Sequence, residues 1–235
     1  MSLKPYLKYV YEVLAIIVGI TISFMVDEWR EERQNKIAEN TYLKNIRSDL
    51  VQDTLIYTWN SKGDSLSVGL GIELWKVLFK NNKINNPLQF TNNAQTIGRL
   101  VSVEKTNTTF TEIQNSGMLK LIKNDSIRRG LIWYHGDTFL PTFNKLIEER
   151  TWKMQDNIIE QIPFEFFLAG SMGVNRDSLD YQFISAEMIK NLSTPEFEFL
   201  LKNSIRTIEQ RKNIIIANKQ IAKHLIRIID EELEK

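Results

Sequence analysis

Residues 30–59 read "REERQNKIAENTYLKNIRSDLVQDTLIYTW", with neither Pro nor Gly to interrupt a helix. Leu43, Ile46, Leu50 and Tyr57 recur at spacings of three, four and seven. That period puts them on one helical stripe, facing a partner helix rather than solvent. Glu32 and Lys36 form an i,i+4 pair in the order that supports a helix. No window alternates apolar and polar residues as a strand does. The reading is all-α, with one helix, continuous or gently kinked, from about Tyr9 to near Asn60.

Upstream, "VLAIIVGITISFMV" (residues 13–26) holds no charge for 14 residues, between Glu12 and Asp27. That length alone suits the core of a signal peptide, and Thr21-Ile22-Ser23 offers small residues at a cleavage site. The flanks change the reading. Tyr9, Tyr11 and Trp29 are amphipathic aromatics of the kind that sit at headgroup level. A helix from Tyr9 to Trp29 is about 30 Å long, the thickness of a bilayer core. Glu12 then lies near the interface, where it can snorkel. A buried soluble helix would need cover on every side of this run. A transmembrane helix over residues 9–29 is expected, after a short tail (1–8) and before a helical bundle domain (30–235). Glu12, Ala15, Gly19 and Ser23 share one face of it, a small-residue stripe that lets backbones approach in lipid and predicts a helix-association face. Lys4 and Lys8 before the span, and Arg30, Arg33 and Lys36 after it, leave the orientation weakly signalled.

Downstream, Gly63-Asp64 is expected to break the first helix, and "SLSVGLGIELWKVLFK" (residues 65–80) to form a second. "NNKINNPLQFTNN" (81–93), rich in Asn with Pro87 inside, reads as a loop, followed by a short helix over "AQTIGRLVSVEK" (94–105). Thr109 is placed to cap a helix that stops at Asn115-Ser116-Gly117, with Gly117 supplying positive φ as a structural turn. Asn124 or Asp125 caps the next helix, which carries Ile127, Leu131 and Tyr134 inward. Pro141 kinks that helix or separates it from another, and apolar residues continue through Ile147 and Ile158 to Pro163. "PFEFFLAGSMGVNRDSLDYQF" (163–183) reads as an irregular connection. Thr194-Pro195-Glu196 combines a cap, a Pro at the first helical position and an acid in the first turn. The last helix runs from there toward the C-terminus, docked antiparallel along the first.

Composition excludes more than it suggests. The 235 residues are 43% hydrophobic and 25% charged, with a net charge of +1, so no global field favours nucleic acid. There is no cysteine, which removes disulfides, thiolate metal sites and cysteine nucleophiles. His135 and His224 are the two imidazoles, and neither has a partner at zinc-site spacing. Glu148-Glu149 and Glu231-Glu232 read as solvated helix faces. The glycines at 69–71 and 170–173 lack the strand–turn–helix context of a phosphate loop. Ser116 before Gly117 lacks the frame of a nucleophile elbow. No catalytic, cofactor-binding or metal-binding residues are expected.

"EVLAIIVGITISFMVDEWREERQ", "YLKNIRSDL" and "FTEIQNSGMLKLIKNDSIRRGLIWYH" together resemble an uncharacterised Bacteroidetes family of single-pass, membrane-anchored helical proteins. The positions that carry the resemblance are Glu12, Gly19, Trp29, Phe110, Ser116, Gly117, Leu119 and Ile122. Asp27-Glu28 is more acidic than the Asn-rich exit of that family. The resemblance covers roughly the first 60 residues and 105–135, and it implies a bacterial membrane protein without implying an activity.

The expected function is that of a membrane-anchored structural or interaction protein, an oligomerising or accessory subunit of a bacterial envelope complex. Its partners would be the lipid bilayer and copies of itself or other membrane proteins. Its place would be the bacterial inner membrane, with the soluble domain periplasmic. The alternative is an extracytoplasmic ligand-sensing bundle. The tail of about eight residues leaves no room for an output domain, so such a bundle would signal through a separate partner.

Overall fold

The computed structural model describes residues 4–98, 102–160 and 180–235, with side chains from residue 12 onward. Among the described residues every regular element is helical. Helix α1 (Lys4–Trp75) runs unbroken for 72 residues, about 108 Å at the usual rise. A π-helical turn follows at Lys76–Lys80. Then come α2 (Pro87–Gly98), α3 (Thr108–Asn115), a 3₁₀ turn at Met118–Leu121, α4 (Asp125–Gly136), α5 (Phe139–Glu160), α6 (Tyr181–Leu192) and α7 (Pro195–Leu233).

The frame is α7 laid antiparallel along α1. As α1 advances from Arg47 to Asp64 to Trp75, its partners on α7 retreat from Asp230 to Arg211 to Glu198. Shorter helices close two apolar cores around this pair. The core nearer the N-terminus gathers Leu43, Ile46, Leu50 and Tyr57 of α1 with Ile113, Ile127, Leu131 and Ile215. The far core gathers Leu74 and Leu78 with Phe90, Ile97, Met154, Met188 and Leu201. Polar residues lie between them: Asp64, Ser67, Ser204, Thr207 and Arg211 are all buried.

Three expectations about element ends are corrected. Gly63-Asp64 does not break α1. A helical glycine costs only about 1 kcal/mol, and the buried Asp64 holds Arg211 of α7, so tertiary contact carries the helix through. Pro87 lies not in a loop but at the first position of α2, where its missing N–H costs nothing and Asn86 accepts from the Gln89 N–H at 3.1 Å. Thr109 does not cap α3. It lies in the first turn of that helix, and its N–H is donated to Asp49 of α1 at 3.3 Å.

Other ends follow local signals. Asn124 accepts from the N–H groups of Ser126 and Ile127, and Thr194 from that of Phe197 ahead of Pro195. Pro141 sits in the first turn of α5, two residues beyond the α4–α5 corner. Gly117 stands at φ 70°, ψ 10°, directly after α3 and Ser116. Most of the connection expected over 163–183 lies outside the described residues; its end, from Tyr181, is helical.

Among the described residues no helix is long and apolar enough to cross a membrane. The uncharged run is 14 residues, and Glu12, Asp27 and Glu28 bound it closely. The side chains of Tyr9 and Tyr11, which the expected span includes, lie outside the described residues.

Candidate functional site

Two features of α1 stand out. The first is its N-terminal stretch. Every residue from 12 to 34 is exposed, and the large apolar ones are exposed all round. Phe24 is 70%, Ile16 61% and Val18 53% exposed. Within this stretch a Cβ added at Gly19 would meet nothing within 4 Å, and the Ser23 hydroxyl donates back to the Gly19 carbonyl at 3.0 Å. Ala15 and Glu12 are exposed on the same face. Trp29 is exposed, with the Arg33 guanidinium 5.7 Å from its ring centroid. The small residues thus line one helix face that is open among the described residues.

The second feature is a ladder of acids on the inward side. Between residues 33 and 72, α1 carries Glu39, Asp49, Asp53 and Asp64 as its acids. Each turns toward the bundle and takes a donor from another element. Glu39, 1% exposed, accepts the Lys123 N–H at 2.8 Å. Asp49 accepts from Thr109 at 3.3 Å. One oxygen of Asp53 accepts both the N–H (2.8 Å) and the hydroxyl (2.7 Å) of Thr106. Its other oxygen accepts the Tyr134 hydroxyl at 2.7 Å. Since Tyr134 spends its only proton there, the Tyr57 hydroxyl donates to Tyr134, 2.8 Å away. Asp64 takes the Arg211 guanidinium in a buried, two-point ion pair.

The two Asp53–Thr106 bonds hold an irregular strap, residues 102–107, against α1. The Lys105 ammonium reaches Asp137 at 3.2 Å and the Tyr134 carbonyl, and lies 4.7 Å from the Tyr134 ring centroid. Asn144 donates to the Val103 carbonyl at 2.7 Å. Asn107 Oδ1 accepts from His135 Nδ1 at 2.7 Å, and the imidazole stacks on Phe110 at 4.3 Å. Burial, reinforced by the Lys105 charge, pushes His135 down to about 4, so it is a neutral ring. Burial also lowers Lys105 despite Asp137, and raises Asp53 against the pull of its hydrogen bonds. A cleft of about 410 Å³ opens beside the strap, lined by Glu104, Lys105, His135, Asp137, Lys145 and Glu148. Bases and acids alternate around it, and Lys105 is already committed to Asp137 and Tyr134.

Three of the paired acids lie on solvated faces, with Glu148 and Glu149 exposed and the exposed Glu231 paired with Arg227; Glu232 does not, being 12% exposed and accepting from Asn124 and Lys235. The acid ladder was missed by the sequence reading, although a signal existed. Asp53 stands three residues after Leu50 and four before Tyr57, and Asp64 seven after Tyr57. Acids at core positions of a helical stripe point to buried partners. Comparison with protein-family models, curated proteins and solved structures finds no match.

Proposed function

We propose that the protein is a membrane-anchored helical interaction protein, an accessory or oligomerising subunit of a bacterial envelope complex. One observation carries this reading: residues 13–34 of α1 are all exposed, and residues 13–26 carry no charge on any face. A helix apolar all round needs cover all round, and a partner helix covers one side only. A bilayer covers every side. In that setting residues 9–29 span the membrane, Trp29 and the Tyr9–Tyr11 pair mark its two surfaces, and Glu12 snorkels outward. The bundle of residues 30–235 stands in the periplasm as a rigid, non-catalytic body, stiffened by the α1–α7 pair. The bacterial setting comes from the family resemblance.

The test is carbonate extraction of membranes holding the full chain. The anchor predicts retention in the pellet, and a variant with Val18 and Ile20 both changed to Asp is released. Release of the unaltered chain would end this reading. A ligand-sensing bundle is the second reading, favoured by the cleft beside the strap. It predicts that a small solute raises the melting temperature of the wild type and not of a Lys145→Ala, Glu148→Ala variant.

A further inference from the structure

The two sides of α1 are sorted by charge, and this sorting says what its outer side fits. On a helix at 100° per residue, positions 30, 33, 37, 44, 48, 51, 55, 59, 62 and 66 share one face, each three, four or seven from the last. That face turns away from α7. Its apolar members are large and open: Ile37 is 60% exposed, Leu55 58%, Trp59 75% and Leu66 58%, with Val51 at the exposed margin. Its charged members are Arg30, Arg33, Lys44 and Lys62, all exposed. It holds no acid between Arg30 and Leu66, because the four acids of that part of the helix past Arg33 are turned toward the bundle. The bases left outside are not neutralised there: Lys62 lies over the Trp59 ring at 6.0 Å, and Arg33 over Trp29.

We infer that the outer face of α1 is a docking surface for an amphipathic helix of another protein, one whose apolar stripe is flanked by acids. The inference deepens the interaction reading above and rests on it for the membrane setting. Charge selects the occupant. In a second copy anchored in parallel, Arg33 would face Arg33, Lys44 would face Lys44 and Lys62 would face Lys62, and like charges across an interface oppose association. An acid-flanked helix meets the bases with opposite charge while its stripe covers Val51, Leu55, Trp59 and Leu66. Trp59, the most exposed of these and the kind of residue that anchors interfaces, sits near the middle of the stripe.

The absence of cysteine makes the test clean. A single Ser48→Cys change, at an exposed position of the face, carries an environment-sensitive fluorophore on the full chain in detergent. The probes are two synthetic amphipathic helices with the same leucine stripe, one flanked by glutamates and one by lysines. The glutamate helix should bind on the order of tenfold more tightly, with the preference shrinking as salt rises. Lys44→Glu with Lys62→Glu, both at exposed positions, should invert it. Equal affinity for the two helices, or no binding of either, overturns the inference. So does a disulfide between two Ser48→Cys chains in reconstituted membranes, which assigns the face to a second copy. A fluorophore response to anionic vesicles that matches the response to the glutamate helix assigns it to a lipid surface and overturns it too. The anchor and the surface fail separately: carbonate release with the preference intact removes only the anchor, and loss of the preference with retention intact removes only the surface.

Discussion

Residues 13–26 and residues 43–57 lie on the same unbroken helix and both are rich in large aliphatic side chains, yet they meet opposite fates. In the first stretch every residue is exposed. In the second, Leu43, Ile46, Leu50 and Tyr57 are each 1% exposed or less. The difference is arrangement, not amount. The second stretch gathers Leu43, Ile46, Leu50 and Tyr57 on one stripe that the bundle covers, leaving Val51 and Leu55 on the outer face, and fully burying each such aliphatic side chain contributes roughly 1.5–3 kcal/mol. The first spreads them around the helix, so no single neighbour within the chain can cover it. The contrast teaches that one continuous helix can carry two unlike stretches, with Glu39 marking where burial in the bundle begins.

The comparison breaks most sharply at the buried end. Asp64→Ala leaves the Arg211 guanidinium without its bidentate partner between the two cores, and should cost about 3–5 kcal/mol in urea denaturation. Asp64→Leu combined with Arg211→Met should recover most of it, because the loss comes from a buried charge deprived of this carboxylate. A single variant as stable as wild type would mean that the pair does not join the two halves of the frame.

Gly117→Val should be the next largest effect. A Cβ there meets nothing within 4 Å, so the cost is conformational: φ of 70° strains an L-residue by roughly 1–2 kcal/mol, and a β-branched one more. Gly117→Asn, which tolerates this region, should cost less. Equal stability of the Val variant and the wild type would remove the turn from the account.

Acid probes the strap. His135 sits at about 4 in the folded protein against an ordinary value near 6.5. The unfolded chain therefore binds more protons between those values, and stability falls as pH drops through that window. Asp53 works against this. Its folded value is raised, so the folded state takes up its proton first and acid returns some stability. Wild type should lose more stability than His135→Gln between pH 6.5 and 4, read from urea midpoints. Parallel pH profiles would contradict the assignment of a neutral, half-buried imidazole.

The smallest effects belong to the helical glycines of α1. Gly63→Ala meets nothing within 4 Å and should stabilise by about 0.5–1 kcal/mol through helix propensity alone. Gly71→Ala has the same propensity gain but drives a Cβ to 2.6 Å from Ile205, and thermal melts should place it below Gly63→Ala. Gly19→Leu should leave the melting of the bundle unchanged. A drop in that melting temperature would tie the N-terminal stretch to the bundle and erase the contrast between the two stretches.

Much of this was legible because it is local. Helical period, the Thr194–Pro195 start, the Asn124 cap and the turn at Gly117 depend on residues within a few positions of each other, so the chain announces them itself. The stripe of Leu43, Ile46, Leu50 and Tyr57 was likewise readable as a buried face. The all-round apolar character of residues 13–26 is also a property of sequence alone, and so is the 14-residue length that limits it. What only the tertiary structure decided involves partners far away in the chain. Asp64 continues the helix past Gly63 because Arg211, 147 positions on, needs its carboxylate. Asp53 turns inward because Thr106 and Tyr134 bring donors to it. Gly71 is required small because Ile205 presses on it. The basic, acid-free outer face of α1 is the residue of those choices. The helix is nearly balanced in charge as a string of letters, and becomes one-sided only when folding spends its acids on the inside, where buried donors would otherwise go unpaired.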